Sequence, residues 1–167
     1  MMDRNLRPEA DLYTHSDTKL DAALPTGAIV LTLDGALPVE HLVPGDRVIT
    51  RDGGAQSLRA VVRRKVPANL RMVQIRCDAL GGKPETDIVL LPHQPVLIRD
   101  WRAKLLYGEP QATIAAERLI DGEHITWASK NPAYMISLHF NQMRIVYAAG
   151  LELQSAAPDN APGFGTV

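Results

Sequence analysis

Apolar residues in this chain fall into short runs, each broken within a few positions by Gly, Pro, Asp or Asn. Gly27-Ala28-Ile29-Val30-Leu31-Thr32-Leu33 is rich in aliphatic and β-branched residues, and it closes on Asp34-Gly35, a pair suited to the positive φ angles of a tight hairpin turn. A strand and a turn are predicted there. Val39 to Leu42 reads as a connecting turn into Pro44-Gly45-Asp46, and Arg47 to Arg51 predicts a second strand ended by Asp52-Gly53-Gly54. Leu58 to Arg64, Met72 to Cys77, Asp87 to Leu91 and Pro95 to Arg99 continue the series, with Pro67, Gly81-Gly82 and Pro92 between them. Further strands are predicted at Gln111 to Ala115, Ile125 to Trp127, Tyr134 to Phe140 and Arg144 to Tyr147, with one helical turn at Ala116 to Leu119. Runs this short with turn residues at such intervals predict an all-β fold with little helix.

The ends lack this pattern. Residues 1–22 are polar without regular apolar spacing and are expected to form a flexible arm; residues 156–167 mix Ala, Pro, Gly and Asn and are expected to form a loose tail. That leaves one domain over residues 23–155, within the size a single core supports. A net charge of -1 removes any electrostatic reason to expect a nucleic-acid partner, and no apolar run approaches the roughly 20 residues of a membrane span. Asp3, Arg4, Arg7, Glu9 and Asp11 interrupt the region where a secretory signal would need an apolar stretch. With a single cysteine, Cys77, the expected location is the cytoplasm.

Four ordered blocks then resemble the Hint (hedgehog/intein) domains of bacteria. They are Gly27 to Gly35 followed by Pro38-Val39-Glu40-His41-Leu42-Val43-Pro44-Gly45-Asp46 and on to Gly54; Asp87 to Ile98; Ala116 to Gly122; and Ile145 to Leu151. The resemblance implies a horseshoe of twisted antiparallel strands whose motifs meet at a central cleft. In active relatives a Cys or Ser opening the domain attacks the preceding carbonyl, and a Thr-x-x-His motif polarises and protonates the scissile amide. Here the nucleophile position falls on Ala23, the Thr position on Leu91 and the His position on Gln94. Asn141-Gln142-Met143-Arg144 stands where relatives often carry a His, and no closing His-Asn pair follows. The resemblance therefore implies a domain without autoprocessing that binds a protein or peptide segment.

Two other functions compete with that expectation. A displaced set of Thr26, His93 and His139 would allow self-cleavage, although Thr26 lies three residues beyond the nucleophile position, on the order of 10 Å in extended chain. His93 adjoins position 94, but successive side chains on a strand point to opposite faces. An oligomeric structural or regulatory role is the other, with contact through the basic residues Arg59, Arg63, Arg64, Lys65, Arg71 and Arg76; the simpler reading of that stretch is a strand edge protected by charge. Alternation of Val73, Ile75 and Cys77 predicts a buried, structural thiol. The five histidines show no metal-ligand spacing, and no nucleotide-binding or nucleophile-elbow motif occurs, so no cofactor and no metal are expected. Trp101 is expected to pack beneath Arg102 or a neighbouring strand.

Overall fold

The computed structural model describes residues 22–158. Residues 1–21 of the expected arm and residues 159–167 of the expected tail lie outside the described residues, whereas Ala22, expected in the arm, is buried. The strands are β1 (Leu24–Pro25), β2 (Ile29–Thr32), β3 (Gly35–Pro38), β4 (Arg47–Thr50), β5 (Gly54–Ser57), β6 (Ala60–Lys65), β7 (Val73–Ile75), β8 (Ile88–Leu90), β9 (Pro95–Ile98), β10 (Ala112–Ala115), β11 (Ile125–Trp127), β12 (Tyr134–His139), β13 (Ile145–Ala148) and β14 (Leu151–Gln154). One helix, α1 (Trp101–Tyr107), and 3-10 turns at Val39–His41 and Ala116–Leu119 accompany them.

The strands form three antiparallel sheets. The largest runs β10-β9-β14-β13-β2-β4-β5, with β3 on β2; the others are β1-β12-β6 and β11-β7-β8. β2 alternates, turning Val30 and Thr32 inward and Ile29 and Leu31 outward, whereas every residue of β12 after Tyr134 is buried. That difference follows position: β2 has one solvated face, and β12 lies between β1 and β6 with protein on both faces. The main core includes Val30, Val48, Ile75, Ile98, Ile114 and Phe140. A smaller cluster of Ala23, Val66, Met72, Leu91 and Met135 lies apart from it and surrounds the start of the domain.

The hairpins refine the expected turns. Thr32 pairs with Gly35, so Leu33 and Asp34 form the loop between β2 and β3, and only Gly35 takes a positive φ, of 106°. The Thr32 hydroxyl donates to Gly35 O at 2.7 Å and accepts from Asp34 N at 3.0 Å. The β4–β5 turn repeats the device with Thr50 and Gly54. Sequence patterning misses β1, β3, β5 and β14, which are short or carry Gly, Pro and polar residues. It also misses α1, whose signals are the Asp100 N-cap, accepting from Arg102 N at 2.9 Å, and left-handed Gly108 at the C-terminus.

Two side-chain expectations change. Cys77 is exposed, because β7 stops at Ile75 and Arg76 N instead bonds His124 O across the end of β11. Its Sγ lies 3.3 Å from Glu85 O, and desolvation together with the charge of Asp78 pushes the thiol pKa up. Within the basic stretch, β6 is the outer strand of its sheet and exposes Arg63 and Lys65, but Arg64 is buried and burial lowers its pKa. Trp101 packs beneath Arg102 as expected, its exposed ring 4.8 Å below the guanidinium. Among the described residues no helix is long and apolar enough to cross a membrane.

Candidate functional site

The site is built around the first described residues. β1 adds to β12 with Leu24 opposite Ile136 and Pro25 opposite Met135. Proline is tolerated because β1 is the outer strand of its sheet and its missing N–H costs no ladder bond on the open side. The chain then reverses at Gly27, where φ is 89° and the Glu40 carboxylate accepts from the amide at 2.7 and 3.1 Å. Ala22, Ala23 and Leu24 are all buried.

Opposite them, Leu91-Pro92-His93-Gln94 forms a turn closed by Gln94 N donating to Leu91 O at 3.1 Å. Bonds from Ala116 N to Gln94 O and from Glu117 N to Pro92 O, each 3.0 Å, fasten the turn to the Ala116–Leu119 3-10 turn. This turn sends neighbouring side chains in opposite directions. Gln94 is fully buried, whereas His93 is exposed with Nδ1 3.3 Å from the Glu117 carboxylate.

Gln94 uses its whole carboxamide. Oε1 accepts from Ala23 N at 3.0 Å, and Nε2 donates to Pro95 O at 3.0 Å and to Gln154 O at 2.9 Å. The acceptor therefore holds the amide joining Ala22 to Ala23, the bond expected from the sequence resemblance to stand at the scissile position. Leu91, on the same turn, is fully buried against Ala23 and Met135 and offers no polar group. Ala22, Ala23, Gln94, Ile136, Gln154 and Ala156 help enclose a residual cavity of only about 10 Å³, room for one water molecule at most.

The remaining candidates are not assembled here. Thr26 is exposed in the turn after β1 and lines an open groove of about 400 Å³ with Thr86, Asp87, Lys130 and Asn131. His139 is fully buried on β12, where alternation points it away from Ile136 and Leu138, which line the small cavity. Its Nδ1 donates to Ala157 O at 3.2 Å, and Nε2 has no hydrogen-bond partner among the described residues. Burial lowers its pKa, the Ala157 bond opposes that, and the Arg64 charge lowers it further. Thr26, His93 and His139 thus face three separate environments. Among the described residues no three His, Cys, Asp or Glu side chains converge in a way that could hold a metal ion. Sequence reasoning missed Ala22, Ala156 and the Gln154 carbonyl; a backbone acceptor and two alanines carry no motif.

The same arrangement of strands is found in solved structures. The TvoVMA intein matches 83% of this chain and 100% of its own length, with a TM-score of 0.59 at 13% identity. A bacterial intein-like domain from Clostridium thermocellum covers 81% of this chain and 99% of its own length, at a TM-score of 0.51 and 16% identity. A splice-inactive variant of the AceL NrdHF class 3 split intein covers 82% of this chain and 99% of its own length, at 0.52 and 15%. At these identities the likeness establishes the fold. No curated protein matches the sequence. The family profile described as "Hint domain" matches residues 22–160, most of the chain and all of the strands described above. This chain belongs to the Hint domain family.

Proposed function

We propose that this Hint domain holds a polypeptide segment in its cleft without cutting it, acting as a protein- or peptide-binding module. The observation that carries the proposal is the 3.0 Å bond from Ala23 N to Gln94 Oε1. In an active relative the amide at this place is broken: a nucleophile attacks the carbonyl before it, and an imidazole supplies a proton to the leaving nitrogen. A carboxamide accepts from the N–H, so it can hold that amide in register, but it has no titratable proton to give near neutral pH. Ala23 has nothing with which to attack. Leu91 has nothing with which to polarise the carbonyl.

Restoring one part does not restore the reaction. The side chain at position 23 lies with Val66, Met72, Leu91 and Met135, and a thiol in such apolar surroundings has a raised pKa. The test is intact mass after prolonged incubation of the full chain and of Ala23→Cys, each with and without hydroxylamine to trap an ester or thioester. Both masses are expected to remain unchanged. A product beginning near residue 23 in the unaltered chain would overturn the proposal.

A further inference from the structure

We propose that the polypeptide held by this cleft is the chain's own, and that Gln94 clips its incoming segment, Ala22–Leu24, to its outgoing segment, Gln154–Ala157, so that the two dock as one unit. The inference rests on the non-cleaving role above and names the segment being held. One buried carboxamide accepts from Ala23 N and donates to Gln154 O, joining backbone groups far apart in sequence. A neutral imidazole has one donor and one acceptor, so the residue of an active relative could not make these two bonds together with the third, to Pro95 O. Glutamine at this position is therefore a gain of attachment as well as a loss of chemistry.

The two segments also share a support. Leu24 pairs with Ile136 on β12, and two residues along that strand Leu138 O accepts from Ala156 N at 3.2 Å. From the other face of β12, His139 donates to Ala157 O and so also holds the outgoing segment. Ala22, Ala23 and Ala156 present only methyl groups to the cavity of about 10 Å³ between the segments, and a larger side chain there has to push them apart. A foreign peptide entering this slot must displace the incoming segment and, through Gln94, disturb the outgoing one. The chain's entry at Ala22 and its exit at Ala157 are consequently coupled through one side chain.

Hydrogen exchange on the full chain tests this with Gln94→Glu, which keeps an oxygen for Ala23 N–H but replaces the donor to Gln154 O. The expected result is exchange on the order of tenfold faster at Ser155 and Ala156 and also at Ala23 and Leu24, with the β4–β5 hairpin unchanged. Coupling between two sites is reciprocal. Glu40→Ala, which retains Gln94 and removes only the carboxylate holding Gly27 N just beyond the incoming segment, is therefore expected to speed exchange at Ser155 and Ala156 as well, and it supplies the reading if Gln94→Glu does not fold. Loosening confined to the altered side in either variant overturns the clip. With the mass intact, that outcome leaves the non-cleaving role standing; self-cleavage in the mass measurement removes the role itself.

Discussion

Two regions only a few residues apart have opposite character. Ala22 to Leu24 is buried around a cavity of about 10 Å³, with every hydrogen-bonding atom of the Gln94 carboxamide engaged. Beyond Pro25 the chain borders a groove of about 400 Å³ that is open to solvent and lined by Thr26, Asp87 and Lys130. The first region, where we propose that the chain is held uncut, is filled and satisfied. Of the displaced set Thr26, His93 and His139, only Thr26 borders the second. A side chain's chemical type therefore says little about a site until its direction and its neighbours are fixed.

The largest effect that sharpens this contrast is expected from Gln94→Ala. It strands Ala23 N–H and the Pro95 and Gln154 carbonyls inside the protein and leaves a void, a loss of about 4 kcal/mol in denaturant unfolding. A cost under about 1 kcal/mol would mean that the cleft is far looser than its packing indicates.

An intermediate effect is expected at His139, which lies outside the small cavity but anchors Ala157. Its folded pKa is depressed below the ordinary 6.5. Above that value the imidazole is neutral in both states; as pH falls below it, the unfolded state binds the proton first and stability drops. The decline is expected to reach at most about 1.4 kcal/mol per pH unit, until the folded pKa is passed. Thermal melting between pH 7 and 5, compared with His139→Gln, isolates this contribution. Equal slopes in the two proteins would remove His139 as its source.

The smallest effects belong to the open side. Thr26→Ala and His93→Ala are each expected to shift stability by less than about 0.5 kcal/mol and to leave the intact mass unchanged. A change in mass on removing either would assign it a chemical role that its present surroundings do not support.

Much of the architecture was legible in the chain. Ile125–Trp127 and the turn at Ala116–Leu119 fall where the pattern predicts them, and most other long strands match within a residue or two. Their apolar side chains alternate or cluster because each element must bury one or both faces. The two-residue β1 escaped notice because Leu24-Pro25 has no period, and becomes a strand only by pairing with β12. Cys77 departs from its alternation for the complementary reason: a period holds only while the strand continues, and a bond from Cys77 N to the Asp87 carboxylate replaces the ladder there.

The sequence by itself determined the family, the β-rich fold and the absence of a heteroatom on the side chain of Ala23, since these depend on residue type and order. It also carries Gln94 at the position that the resemblance assigns to the family's His. Only the tertiary structure decided what that glutamine does. Its three partners, Ala23 N, Pro95 O and Gln154 O, are backbone atoms, which every residue except proline supplies alike. Which of them meet is set by the packing of strands distant in sequence, and no side-chain pattern records it.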